Sequence, residues 1–443
     1  MTQVVHLHVG GPKSGTTFVQ QVLDHNADAL GRAGVLVVGP RLDLIHAAMA
    51  VRGDKRLADL PEAASGAWDR VVEQVRAWEG RSAVVSYELF ANASAEQARA
   101  ALARLDGLEV HVVVTARDLG KAIASSWQEQ LKFGVTRPLE QWSPPQESAE
   151  DSEWGWRTMQ PANVAARWGA DLPADRVHVV TVPSRSAGAD ELWHRFAAAT
   201  GLTDVPDLDL AVERANESLG VVEAELLRRV NAAVDGRIAG GRQKSLWLRD
   251  LLAHTILAPL GHEPIGLTPA HAEEAAAEAG RAIEAITAAG YRVHGDLDDL
   301  RPGPAGGRLP GDVGDEEVAG SAALALADLL VWARDAGADV RTPPGAPADA
   351  GPTPGAGDDG PSARLRRAVA GTLHRAAAPV RDRRVARLEQ RIAELEAQVD
   401  ASRALHLRVA TLSDVVAELL LPAAQQDEEI TMQALRTYRD RSL

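Results

Sequence analysis

The stretch "VVHLHVGGPKSGTTFVQQVL", Val4 to Leu23, decides the fold. Val4, Val5, Leu7 and Val9 read as a short buried strand, which Gly10, Gly11 and Gly15 then interrupt. Phe18, Val19, Val22 and Leu23 recur at helical spacing, so a helix is expected directly after the turn. A strand that feeds a glycine-rich turn into a helix is an anion cradle. Unpaired N–H groups gather at the helix start, and the helix dipole favours negative charge there. Lys13 would add a point charge, and Ser14, Thr16 and Thr17 would add hydroxyl groups.

Four further strands follow from the same reading. They are "GVLVVG" (34–39), "SAVVSYELF" (82–90), "LEVHVVVTARD" (108–118) and "RVHVVTVP" (176–183). Short apolar strands separated by helical patterns predict an α/β fold, a parallel sheet covered by helices on both faces. Such a sheet binds its ligand beyond the carboxyl ends of the strands. The glycine-rich turn, Glu88 and Arg117 all fall at such ends. Residues 41–80 read as mainly helical, and residues 210–295 as a helical part of the same domain. Between them, 137–160 breaks the pattern with Pro138, Pro144, Pro145, Trp142, Trp154 and Trp156. Two readings of that segment stay open, an acceptor-side loop or lid and a packed surface excursion.

The domain expected from these patterns spans 1–300. A Gly/Pro-rich linker with one short helix follows over 301–362, and a helical tail over 363–443. In the tail, Val385, Leu388, Ile392, Leu395 and Val399 alternate at spacings of three and four before the pattern slips at Ser402. A second apolar stripe runs from Leu405 to Leu419. Residues 385–420 therefore read either as a short coiled coil that forms a homodimer or docks a partner, or as an amphipathic helix that folds back.

Bulk properties exclude several classes. The 443 residues carry a formal net charge of -15, and the pI is near 5.4. No nucleic-acid partner is expected from such a balance, although a local pocket can still be positive. There is no cysteine, hence no thiolate nucleophile or cysteine metal site. No signal-peptide pattern and no apolar run of membrane-spanning length is present, so a cytoplasmic location is expected. His6 and His8 alternate on the first strand without clustered partners and read as sheet-face histidines, so no metal is expected.

An ordinary nucleoside triphosphatase would carry lysine immediately after the last loop glycine. Here Gly15 is followed by Thr16, and the loop lysine is Lys13, so a P-loop kinase or ATPase fits poorly. "GPKSGTT" instead resembles the phosphosulfate-binding loop of sulfotransferases that use 3'-phosphoadenosine 5'-phosphosulfate (PAPS). The second signature of that family is a strand ending in Arg-Asp, followed by a serine eight residues after the arginine. "VVVTARDLGKAIASSW" matches it with Arg117 and Ser125, except that Leu119 replaces the family's usual proline. The resemblance covers roughly residues 4–200 and extends more weakly to about 295.

The resemblance implies a P-loop-like nucleotide-binding fold and PAPS as sulfuryl donor, with adenosine 3',5'-bisphosphate as product. Gly11, Pro12, Lys13, Ser14, Gly15, Thr16 and Thr17 would bind the 5' end, and Arg117 with Ser125 the 3'-phosphate. Lys13 would also stabilise the bridging oxygen. No "KTH"-like segment with a histidine base is present, and Glu88 of "SYELF" stands in its place as the expected base. The acceptor would be a hydroxyl or amine of a carbohydrate, lipid or small metabolite. A non-catalytic scaffold acting through the tail is the remaining alternative. Arg185, Ser186, Arg249 and the tryptophans Trp127, Trp193 and Trp247 are weaker candidates for contacts to the nucleotide.

Overall fold

The structure is a computed structural model that describes residues 4–146, 153–184, 187–188, 190–212, 218–261, 263–303 and 306–335. Strand β1 (Val4–Gly10) leads through the glycine-rich loop into α1 (Thr16–His25), then α2 (Ala27–Arg32) and β2 (Val35–Val37). Helices α3 (Arg41–Val51) and α4 (Ala67–Ala77) precede β3 (Ser82–Ser86), and α5 (Ala95–Ala103) precedes β4 (Glu109–Ala116). After α6 (Leu119–Lys132), α7 (Trp156–Met159) and α8 (Pro161–Gly169) comes β5 (Val177–Thr181). The chain continues through α9 (Glu191–Thr200), α10 (Val221–Val234) and a π-type helix α11 (Lys244–Leu257). It closes with α12 (Pro269–Ala289), β6 (Arg292–His294) and α13 (Asp315–Asp335).

All six strands are parallel, in the order β2-β3-β1-β4-β5-β6. This is the α/β architecture expected from the apolar runs. Strand β1 is central: the chain builds β2 and β3 on one side of it and then crosses to β4, β5 and β6 on the other. The crevice at such a switch point is where open α/β sheets bind ligands.

Apolar packing explains why each face is sealed. Val5, Leu7, Val85 and Val112 face α4 and α8 through Val71, Val75 and Trp168. On the opposite face Val84, Val113 and Val180 meet Val19, Val22 and Phe196 of α1 and α9. A third cluster joins α6 to α10, α11 and α12 through Trp127, Leu227, Ile256 and Ile286. Each fully buried side chain of this size contributes roughly 1.5–3 kcal/mol over its exposed state.

Three features differ from the sequence reading. The part 210–295 is not wholly helical, because β6 extends the sheet by pairing with β5 from His178 to Val180. Only Arg292, Val293 and His294 form it, between two glycines with positive φ, Gly290 and Gly295, which is too short for a strand pattern to register. The third strand ends at Ser86, and Glu88 opens a 3-10 turn that runs to Asn92. Residues from 301 onward do not form a linker at once. Val313, Val318 and Ala325 pack into the cluster of α10, and the Ser321 hydroxyl bonds to Glu223. The short helix expected in that segment is the long α13, which starts at Asp315. The later linker and the heptads of 385–420 lie outside the described residues.

Candidate active site

The glycine-rich loop is fixed from below. Gly11 donates its N–H to the Thr115 carbonyl of β4 at 2.7 Å. The Ser14 hydroxyl donates to the Gly11 carbonyl and lies 2.6 Å from Thr115 Oγ1. Thr115 Oγ1 is 3.1 Å from His8 Nε2, and His8 Nδ1 is 2.7 Å from Ser86 Oγ. A continuous polar chain therefore runs from β3 through β1 and β4 into the loop. Burial lowers the pKa of His8 to about 3, so the imidazole is neutral, with one nitrogen a donor and the other an acceptor. Ser14, expected to offer its hydroxyl to a ligand, spends it on this brace.

Glycine is required at two points of the turn. A Cβ on Gly10, whose φ is +107, would lie 2.6 Å from the Glu88 carbonyl oxygen. On Gly11 it would lie 2.8 Å from the Thr158 carbonyl oxygen of α7. Both substitutions would push backbone away from the loop. Lys13 itself takes a left-handed φ of 60. Among the described residues, none of the N–H groups of Lys13, Ser14, Gly15, Thr16 and Thr17 enters a backbone hydrogen bond. Five successive donors at the start of α1 are thus available to an anion. Pro12 and Thr16 are buried, while Thr17 is exposed at the first helical turn.

Above the loop, Lys13 Nζ lies 2.6 Å from Glu129 Oε1 of α6 and 5.9 Å from the centre of the Trp154 ring. Lys132 Nζ holds the same carboxylate oxygen at 2.8 Å. Burial alone would raise the pKa of Glu129, but the two ammonium groups outweigh it and hold it at about 2. The Lys13 side chain keeps 31% of its surface open, whereas that of Lys132 keeps 1%. Arg117, at the end of β4, donates from Nη1 to the Lys13 carbonyl at 2.7 Å. Asp118, the acid of the Arg-Asp signature, caps α6 by accepting the Lys121 N–H at 3.1 Å. Ser125 sits on that helix one turn before Glu129, half-buried and without a side-chain hydrogen bond among the described residues.

Glu88 lies at the end of β3, with its backbone against Gly10. Its carboxylate is half-buried and accepts from Gln20 Nε2 at 2.8 Å, and Gln20 Oε1 accepts from Arg41 Nη2 at 2.6 Å. Burial, and then the charge of Glu88, push the neighbouring Tyr87 phenol well above its ordinary range, so it stays protonated. Lys13, Glu88 and Arg117 therefore converge on the loop from three adjacent strands. Glu129, Gln20, Arg41 and Thr115 complete the arrangement and were missed by the motif reading. For Glu129 the available signal was an acid three residues before Lys132, one turn after Ser125 and Ser126 on the same helix.

The weaker candidates separate clearly. Trp127 and Trp193 are core residues, and Arg249 pairs with Asp250 at 2.7 Å. Trp247 is 42% exposed. Arg185 and Ser186 lie outside the described residues. His6 is not isolated. It meets His111, which is 2.8 Å from His178, and His178 is 2.9 Å from His294, one imidazole from each of four adjacent strands. Among the described residues, no group of three or more His, Asp or Glu side chains is arranged to hold a metal ion, and no helix is long and apolar enough to cross a membrane.

Comparison with known proteins adds three findings. Residues 388–442 match a family model described as a domain of unknown function (DUF6752). No curated protein matches the chain. A crystal structure of a sulfotransferase from Alicyclobacillus acidocaldarius aligns at 14% identity and a TM-score of 0.34, covering 57% of this chain and 98% of that one. A likeness at that level carries no argument, and the reading of the site rests on its own residues.

Proposed function

We propose that the chain transfers a sulfuryl group from PAPS to an acceptor hydroxyl. One observation carries this reading. The row of five free N–H groups at the loop and the Arg117 guanidinium form two adjoining donor sets, joined by the 2.7 Å bond from Arg117 to the Lys13 carbonyl. A nucleoside with phosphates at both ends of its ribose needs two such sets, and a mononucleotide chain of phosphates needs one. The loop's N–H groups with Lys13, Thr16 and Thr17 suit the 5'-phosphosulfate, and Arg117 with Ser125 suits the 3'-phosphate. Ser14 would contribute through its N–H alone.

Chemistry then divides among residues already placed. The sulfur–oxygen bond to the donor phosphate breaks, and a sulfur–oxygen bond to the acceptor forms. The acceptor proton goes to the Glu88 carboxylate, which Gln20 and Arg41 hold in position. Negative charge gathers on the leaving phosphate oxygen, where Lys13 and the loop N–H groups stabilise it. Positioning and charge stabilisation supply most of the rate, as in phosphoryl transfer. Lys13 must turn from Glu129 toward the donor, and its partly open side chain leaves room to do so.

Calorimetric titration with adenosine 3',5'-bisphosphate and with ATP–magnesium tests the reading. Bisphosphate binding that weakens at least about tenfold in Arg117→Ala is expected, the loss of one charge-assisted contact. Binding of ATP–magnesium alone would replace the proposal with a P-loop kinase.

A further inference from the structure

A second cavity opens beside the catalytic lysine, and nothing above uses it. It is a cleft of about 380 Å³ between the end of α3, the turn at Asn92, the last turn of α6 and the segment at Trp154. Trp154 joins it to the loop, because the ring that lines the cleft carries Lys13 Nζ 5.9 Å from its centre. Gln130, on another wall, directly follows the lysine's partner Glu129. Asn92 lies in the turn that Glu88 opens. The cleft therefore adjoins the group that stabilises the leaving oxygen, and its Asn92 wall belongs to the turn that Glu88 opens, where an acceptor must sit.

Its chemistry names the acceptor class. Resting on the sulfotransferase reading, we infer that this cleft binds a carbohydrate acceptor and presents one of its hydroxyls to the loop. Four charged side chains of the wall satisfy one another. Arg52 bonds Glu153 at 2.8 Å and Asp54 at 3.0 Å, and Arg56 bonds both acids as well. Within that network each charge is met, and Lys55 is the one charged side chain of the lining in no ion pair among the described residues. Three uncharged groups are left over among the described residues. The Gln130 amide and the Trp154 indole N–H have no hydrogen-bond partner, and the Asn92 amide oxygen is buried without one.

Unpaired polar groups on a wall call for a ligand that supplies many donors and acceptors. Trp154 and Phe133 bring half-buried rings to the wall, apolar surfaces of the kind on which the C–H face of a pyranose lies, with Lys13 over one ring and Arg249 over the other. A lipid or simple phenol would need a predominantly apolar lining, and such a ligand would leave these amides unpaired. The volume suits one or two sugar rings.

Saturation-transfer NMR on the full chain tests the inference. The probes are glucose, N-acetylglucosamine, glucuronate and maltose, with 4-nitrophenol and octanol as apolar comparators. Each is recorded with and without adenosine 3',5'-bisphosphate. At least one sugar is expected to receive saturation at its ring protons. Its apparent affinity should fall about tenfold in Trp154→Ala and severalfold in Gln130→Ala, and be largely kept in Trp154→Phe. An unchanged circular dichroism spectrum shows that each variant folds, and Gln130→Ala keeps the test valid if Trp154→Ala does not. Sugar binding that ignores both substitutions overturns the inference, as does failure of every sugar. Failure of the bisphosphate to bind while sugars still do would refute the donor reading and leave the cleft's specificity standing.

Discussion

Glu129→Gln would remove the one carboxylate that two ammonium groups share. The native pKa of Glu129 is about 2 against an ordinary 4.5, despite burial that pushes the other way. At ~1.4 kcal/mol per pKa unit, that preference for the charged form amounts to about 3 kcal/mol of native-state stability at neutral pH. In the variant Lys132 stays buried, with 1% of its side chain exposed, and loses one of its partners, whereas Lys13 can swing outward. The expected loss is thus dominated by Lys132 and falls near the lower end of the about 3–5 kcal/mol seen when a buried pair is broken. Urea unfolding followed by tryptophan fluorescence at neutral pH measures it. The folded pKa is depressed, so the contribution is complete above 4.5 and fades as pH falls toward 2. The gap between wild type and variant should close over the same window. A loss below about 1 kcal/mol at neutral pH would refute the claim that the Glu129 carboxylate stabilises the buried Lys132 ammonium.

Other perturbations address the chemistry and the sheet. Lys13→Ala should cut turnover by about 10²–10³-fold, read as bisphosphate release, because one stabiliser of the developing charge is gone. Glu88→Gln should cut it by about 10²–10⁴-fold while donor affinity stays within about twofold, and normal turnover would remove Glu88 from the base role. His6, His8 and His178 are held at about 3 chiefly by burial, against an ordinary 6.5. Their depressed values mean that the unfolded chain takes up protons first, so stability is intact above 6.5 and is lost as pH falls toward 3. The thermal midpoint should drop steadily between about pH 6.5 and about pH 4, and less steeply in His6→Leu; equal slopes would contradict the assignment.

Much of the scaffold could be read from residue order because its signals are local. Apolar runs such as Val110 to Val114 and the glycines of the loop declare themselves without neighbours. Arg117 and Glu88 stand out as candidates from the sequence because they sit at strand ends, where parallel sheets collect ligands. Glu129 was not, since its role depends on the phase of α6 against a loop over a hundred residues away. The same holds for Thr115, a strand residue whose hydroxyl matters only because Ser14 lies above it. Strand β6 failed for a different reason: three residues gain strand character only by pairing with β5. Trp154 read as an undifferentiated member of an irregular segment, and its contact with Lys13 gives it a place.

The buried polar chain beneath the loop has a consequence for anyone who would engineer this molecule. His8 and Thr115 occupy interior strand positions where valine or isoleucine would ordinarily serve. A stability-driven redesign would choose those substitutions first, for the apolar burial they add. Ser14 would then lose its anchor on β4, and the five open donors would lose their common floor. Thermostability and ligand affinity should therefore move in opposite directions at these two sites. In a selection for binding, neither polar side chain is free to drift, although neither touches a ligand.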